Sequence, residues 1–405
     1  MSKHVLIIGG GVIGLCTAYY TAQRGHRVTV VDCASESELG CSYGNAGMIT
    51  PSHFVPLAAP GAIRLALKWM WNSESPFYMK PRFDSRLIEW AWKFYRAATV
   101  EHVTRSAPLI LDLNLAGRAC FVELAREWGD FKIEERGIVM VCNTEEGLEH
   151  ELATAELSRE LGLTVEILDA KRLMAMEPNL RMTVAGGIYF PSDAYLAPWQ
   201  FMSALKKRVP SVRWSSTVSL RANGNRIQAD IEADEYVICG GAWSSGIAHD
   251  LKLHLPMQAG KGYSLTLQQP RKKPAHAMIL SEARVAVTPM LNALRFGGTM
   301  EITGNDLSIN PSRVRGIVKA VPKYLPEFNN DNFQDVKPWA GLRPCSPDGL
   351  PYLGRFARYE NLSVATGHAM MGLSLGPITG KLMAQVLSGE QPSIALDSLS
   401  PDRYS

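Results

Sequence analysis

Gly9-Gly10-Gly11-Val12-Ile13-Gly14 fits the pattern G-x-G-x-x-G, whose chemistry is the cradling of a pyrophosphate. Gly9 permits a tight turn, Gly11 lets the backbone approach phosphate, and Gly14 lets a helix pack closely on a strand. Val12 and Ile13 open a helix whose first N–H groups lack partners and whose dipole presents its positive end. Asp32, followed by Cys33, stands roughly 20 residues further on, where a carboxylate accepts from a ribose hydroxyl and repels a 2′-phosphate. This set argues for FAD or NAD over NADP and does not separate the first two.

Three further stretches of small residues have the character of ring-binding segments. Ser42-Tyr43-Gly44-Asn45-Ala46-Gly47-Met48-Ile49 comes too soon after the second strand to be a crossover helix, and its small residues let backbone lie close to a flat ring. Tyr236 to Cys239 runs into Gly240-Gly241-Ala242-Trp243, and Gly367-His368 leads to Gly372-Leu373-Ser374-Leu375-Gly376-Pro377. Arg343, within Gly341-Leu342-Arg343-Pro344, carries a planar guanidinium able to hold a carboxylate bidentately. His53, between Pro51 and Pro56, is a second candidate for substrate contact.

The elements that must position these groups read as follows. His4 to Ile8 is an apolar strand, Val12 to Arg24 a helix stopped by Gly25, and Arg27 to Val31 a second strand. Such a β-turn-α-β unit implies parallel strands with a right-handed crossover. Helical patterns cover Arg86 to Ala98, Leu109 to Trp128 and Glu145 to Leu161, with a strand at Gly137 to Cys142 between the last two. Strands are expected at Gly187 to Phe190, Val212 to Trp214 and Thr217 to Leu220, the last before a hairpin turn at Asn223-Gly224-Asn225. Tyr263 to Gln268, Val285 to Pro289 and Leu294 to Gly298 alternate and are joined by short turns, as in an antiparallel sheet. Asn310 to Tyr324 is helical, Leu362 to Ala365 a strand and Pro377 to Leu387 a helix. The expected fold is α/β, a Rossmann-type FAD-binding domain interwoven with a substrate domain on a mixed, largely antiparallel sheet. The approximate segments are 1–50, 145–175, 198–250 and 335–400 for the first, and 51–144, 176–197 and 251–334 for the second.

Composition narrows the function classes. The 405 residues are 46% hydrophobic and 20% charged, a globular balance that excludes disordered, collagenous and coiled-coil chains. Lys plus Arg number 42 against 39 Asp plus Glu, and no dense basic tract supports nucleic-acid binding. Seven cysteines without a C-x-x-C pair read as reduced thiols in a cytoplasmic protein, and no Cys/His cluster has metal-ligand spacing. Val5 to Ala22 is uncharged, but its four glycines cluster as in a βα turn and no basic segment precedes it. It is therefore expected to be a buried strand and helix that open the domain, and neither a leader nor a span.

Taken together, the chain resembles the flavoprotein D-amino-acid dehydrogenases, within the wider D-amino-acid oxidase and glycine oxidase superfamily. The resemblance covers nearly the whole chain. It rests on Gly9 to Gly14 with Asp32, Asn45-Ala46-Gly47, Ala58-Ala59-Pro60-Gly61 followed by Lys68-Trp69-Met70, and Lys261-Gly262-Tyr263-Ser264-Leu265-Thr266. Gly341-Leu342-Arg343-Pro344 with Pro347-Asp348-Gly349, and Gly367-His368, complete it. It implies FAD, with Cys33, Met48, Val218, Gly240, Gly241, Trp243, Gly341, His368, Gly372, Leu373 and Ser374 joining the first-named residues around the cofactor. It implies that Arg343 holds the substrate carboxylate, with Tyr263 near the substrate and His53 as a further candidate. Relatives with covalent flavin carry a Cys where this chain has Gly341, so FAD is expected to be non-covalent. The implied reaction is hydride transfer from Cα of a D-amino or D-imino acid to flavin N5, with a quinone or redox protein as acceptor. Neutral D-amino acids such as D-alanine stand beside D-proline and 4-hydroxy-D-proline, because His53 departs from the pattern of the D-alanine enzymes. An oxygen-using glycine or sarcosine oxidase, or a flavin-binding subunit of a larger electron-transfer complex, are the alternatives. The Ile63 to Trp71 segment sets Arg64 and Lys68 among apolar residues. It is expected to pack on the substrate domain, with peripheral contact at the inner membrane face as the alternative.

Overall fold

The computed structural model describes residues 1–35, 40–70 and 72–405, so that Trp71 lies outside the described residues. His4–Ile8 forms the centre of a six-stranded sheet, parallel to Arg27–Val31 on one side and Glu235–Ile238 on the other. Val212–Arg213 extends the sheet beyond Arg27–Val31, and Leu362–Thr366 followed by antiparallel Tyr352–Arg355 extends it beyond Glu235–Ile238. Val5, Leu6 and Ile7 are fully buried, because layers cover both faces and leave no polar side to alternate. Helix Val12–Gln23 is apolar almost all round and so lies inside the molecule, against helix Gly376–Ser388.

The second sheet has nine strands. Trp339–Cys345, Gln258–Gln268, Ala293–Ile302, Val285–Met290, Ala277–Leu280, Ile138–Cys142, Gly186–Phe190 and Glu166–Asp169 follow in spatial order, and Phe77–Met79 adds to Ala293–Ile302. Most pairs are antiparallel; Ile138–Cys142 beside Ala277–Leu280 and Phe77–Met79 are the parallel ones. Period-two alternation splits its residues between two faces. Tyr263, Leu265, Phe296, Val285 and Val287 point to one face, which is closed by helix Pro311–Ala320 and the turn after it. The other face turns toward the Gly44–Met48 loop. A small three-stranded sheet, Met48–Ile49, Ala194–Leu196 and Ile133–Glu134, stitches that loop in place.

The mixed α/β architecture matches the expectation, and four local readings are corrected. Trp339–Cys345 and Glu166–Asp169, placed by sequence among the FAD-binding segments, hydrogen-bond into the nine-stranded sheet. The expected helix from Leu109 begins at Val100 and runs through Pro108 to Trp128, capped by the Thr99 hydroxyl. It packs on helix Gly376–Ser388, so this part of 51–144 buries its face against the cofactor-side core. The hairpin at Asn223 exists, but its strands are Leu220–Asn223 and Arg226–Ala229, one turn later than Thr217 to Leu220.

Candidate active site

The glycine turn has the geometry its spacing requires. Gly9 has φ +118°, and a methyl group added there would run into the Cys239 carbonyl oxygen; one at Gly14 would run into the Gly9 carbonyl. Beside Gly11 the space is open except for the Ser42 hydroxyl at 3.6 Å. Ser42 Oγ accepts from Val12 N at 2.9 Å, which places a hydroxyl at the helix N-terminus. Asp32 Oδ2 accepts from Gly10 N at 2.5 Å and Oδ1 from Ala34 N at 2.8 Å. The carboxylate thus ties the turn to the end of its strand and still has lone pairs for ribose hydroxyls. Trp214 lies against Gly10, with the Lys206 ammonium 4.5 Å from its ring centre. Cys33 is exposed, Val218 packs against the buried cluster that includes Leu6, Val31 and Tyr236, Gly241 has φ +55° with open space beside it, and Trp243 is half exposed. A backbone cradle, an open helix N-terminus and a carboxylate fit the adenosine pyrophosphate half of FAD.

The loop that follows is docked on the large sheet. Asn45 Oδ1 accepts from Gly47 N at 2.8 Å, and Gly47, at φ +78°, sits under Leu196 where a side chain has no room. Arg295 Nη1 donates to the carbonyls of Tyr43 (2.8 Å) and Asn45 (2.7 Å), and Nε donates to Thr266 Oγ1 (3.0 Å). Arg295 is buried and has no ion pair among the described residues; burial alone pulls its pKa down to about 10. Ala46 touches Gly297, and the Trp339 indole lies across both Gly44 and Gly341. Thr50 N donates to Ser374 Oγ (3.2 Å), which donates to Asn114 Oδ1 (2.8 Å). Ser374 and buried Leu373 therefore brace the site from behind.

Arg343 stands on the face of the large sheet that looks toward this loop. Its guanidinium covers Gly262 on the neighbouring strand so closely that any side chain there would collide with it. Nη1 donates to the Thr299 carbonyl at 2.8 Å. Among the described residues no carboxylate pairs with it, and burial lowers its pKa. The nearby thiols of Cys41 and Cys345 feel its charge, which brings the start of the cofactor loop close to this guanidinium. A partly buried cation with donors to spare is built to receive an anion.

Tyr263 does not join Arg343. Gly262 faces the guanidinium, so alternation sends Tyr263 through the sheet to the opposite side. There its hydroxyl donates to Glu301 Oε2 at 2.5 Å and accepts from Asn310 N at 3.3 Å. Glu301 also pairs with Arg313 (3.0 Å) and Lys261 (3.6 Å), all three buried, so Tyr263 belongs to an internal polar network. His368 is likewise buried. Its Nε2 meets Thr379 Oγ1 at 3.0 Å, its Nδ1 has no partner among the described residues, and burial drives its pKa down to about 3, leaving a neutral ring. Gly372 lies against the His368 side chain. His53 is held by Ser52, whose hydroxyl lies 3.1 Å from Nδ1; burial, with the Arg284 charge adding to it, lowers its pKa to about 4.

Sequence reasoning missed several members of the site. Ser42 opens the Ser42–Ile49 stretch and Trp339 stands two residues before Gly341, so their positions near glycines were the available signal. Arg295, Trp214, Ser52 and Asp193 come from distant segments and carry no local signal.

Comparison with known proteins agrees with this geometry. The family described as DAO, FAD dependent oxidoreductase, matches residues 4–386. The chain is similar to a D-amino acid dehydrogenase of Methylobacterium nodulans, 32% identical over 418 residues, covering 99% of this chain and 99% of the relative. A D-amino acid dehydrogenase of Rhizorhabdus wittichii is 31% identical, covering 99% of this chain and 100% of the relative. Among solved structures, the fold is similar to glycine oxidase from Geobacillus kaustophilus, with TM-score 0.79 and 23% identity, covering 100% of this chain and 99% of that one. The glycine cradle, the docked loop and these matches agree, and the chain belongs to the DAO family of FAD-dependent oxidoreductases.

Proposed function

We propose that the protein dehydrogenates a D-amino or D-imino acid, either a neutral one such as D-alanine or a cyclic one such as D-proline or 4-hydroxy-D-proline. The observation that carries this reading is Arg343, a partly buried guanidinium beside the cofactor loop with no carboxylate partner among the described residues. Its free donors take the substrate carboxylate and fix Cα relative to the loop at Gly44–Met48. Bound FAD supplies the two-electron acceptor for the Cα hydride. Trp339 and the Arg295-braced loop limit how the substrate can tilt, so that positioning is the main contribution of the chain. The D configuration follows the two dehydrogenase relatives. FAD is held without a covalent bond, since Gly341 stands where relatives with covalent flavin carry a Cys; acid or heat releases it from the chain.

A quinone or a redox protein takes the electrons onward. One surface suits work at the inner face of a membrane: Leu67, Phe83, Ile88 and Trp92 are exposed, with Arg64 and Lys68 beside Leu67. No helix among the described residues is long and apolar enough to cross a membrane. The test is a panel of both enantiomers of alanine, proline and 4-hydroxyproline, with dye reduction and peroxide measured separately. D-selective dye reduction supports the reading. Peroxide in step with substrate loss points instead to an oxidase, and preference for an L-enantiomer overturns the proposal.

A further inference from the structure

Asp193 is fully buried and makes no ion pair among the described residues. Ser52 holds both of its oxygens: Ser52 N donates to Oδ1 at 3.0 Å and Ser52 Oγ donates to Oδ2 at 2.5 Å. The Ser52 hydroxyl has one proton, so Oγ is left to accept from His53 Nδ1–H at 3.1 Å. That fixes the imidazole tautomer and leaves Nε2 with a lone pair. Nε2 has no hydrogen-bond partner among the described residues.

The chain of three is built into the floor of the cofactor loop. Asp193 leads into strand Ala194–Leu196, which pairs with Met48–Ile49 and donates from Leu196 N to the Gly47 carbonyl at 2.8 Å. The other charged groups that reach it are Arg284, facing His53, and Arg118, facing Asp193. The Arg284 carbonyl lies near Gly298, and Arg343 donates to the adjacent Thr299 carbonyl. His53 N donates to the Thr50 carbonyl at 3.0 Å, so the imidazole follows directly on the strand Met48–Ile49 that ends the cofactor loop.

We propose that His53, Ser52 and Asp193 form a relay that takes a proton from the ammonium group of the bound substrate, a step that rests on the amino-acid reading above. The ammonium N–H gives its proton to His53 Nε2. The Nδ1 proton passes to Ser52 Oγ, and the Ser52 proton passes to Asp193 Oδ2. The substrate becomes a neutral amine whose lone pair supports loss of the Cα hydride. Asp193 ends as a carboxylic acid, and Ser52 now donates to Nδ1. No electrons are exchanged. Burial opposes charge on both ends of the relay, raising Asp193 to about 7 and lowering His53 to about 4. The proton therefore comes to rest on the carboxylate and not on the imidazole, where Arg284 also disfavours it.

The experiment compares pH profiles of kcat/KM for D-alanine and D-proline in the FAD-loaded wild type, His53→Gln, Ser52→Ala and Asp193→Asn. Each variant is expected to lose on the order of 100-fold near neutral pH, the range of general-base contributions. The loss should shrink to a few-fold as pH approaches the pKa of the free amine, because substrate then arrives already neutral. Ser52→Ala serves as the relay test if Asp193→Asn does not fold, and flavin content reports folding. A loss that does not change with pH, or an unaltered profile in Ser52→Ala, overturns the relay while leaving the function standing. A wild type that oxidises no D-amino or D-imino acid overturns both.

Discussion

Replacing Arg343 by Met removes the charge to which the proposed function assigns the substrate carboxylate. The Thr299 carbonyl takes one guanidinium donor; a guanidinium has five, so the rest remain for an anion. Truncating one partner of a buried charge pair costs roughly 2–5 kcal/mol. At about 1.4 kcal/mol per tenfold, kcat/KM should fall between roughly thirtyfold and several-thousandfold. The resting protein is expected to respond little. Arg343 has no carboxylate partner among the described residues and burial already lowers its pKa, so folding gains or loses little when the charge is removed. Arg343→Lys keeps the charge but loses the planar fork and should fall between the two. The assay is dye-coupled kcat/KM across the D-amino acid panel, with Tm and flavin absorbance recorded for each variant. Unchanged kcat/KM would refute the carboxylate role. Activity that declines only in step with Tm and flavin content would show a structural role in its place.

Two further outcomes follow from packing and charge. In Gly380→Ala the new methyl group meets the Cys16 carbonyl carbon at 2.5 Å, so the two central helices must separate; overpacking of this kind costs about 1–3 kcal/mol, and a lower Tm with weaker FAD retention is expected. Burial pushes the Asp348 carboxyl up, but the Arg403 charge and two hydrogen bonds of 2.8 and 3.0 Å outweigh it and hold it below its ordinary value. Its contribution is therefore complete above the ordinary carboxylate range and lost as pH falls through the lower, folded value. Asp348→Asn should lower the urea midpoint at neutral pH and flatten its decline in acid; an unchanged acid limb would count against this pair.

The parts of the molecule legible in the sequence are those whose meaning is local. The turn at Gly9–Gly14, the helix from Val12 and the acid at Asp32 are a contiguous solution to one binding problem, and all take the expected shape. Arg343 was legible as a carboxylate binder only through its motif. What isolates it, the bare Gly262 opposite and the lack of a carboxylate neighbour, depends on the register between strands far apart in the chain. Tyr263 illustrates the cost of lacking that register: one position along a strand reverses the face. The helix expected from Leu109 begins at Val100, with Pro108 inside it although a proline lacks the N–H that continues a helix. Packing against Gly376–Ser388 carries the helix through it. The hydrogen bonds from Ser52 to Asp193 cross 141 positions, so no window of sequence contains them.

In order of synthesis the central helix that begins at Val12 precedes the neighbours that hold its turn in place. Cys239 closes the turn from below, Leu362–Thr366 lies one strand further out, and Gly380 presses against Cys16. Nucleation at the amino end cannot hold the glycine turn in shape by itself. Ordering must wait for loop closure across nearly the whole chain, which is the slow, entropically costly kind of contact. The nucleotide cradle is complete only when segments more than 200 residues apart meet at Gly9 and Cys239, and a ligand that binds only the assembled cradle adds stability by mass action to that meeting.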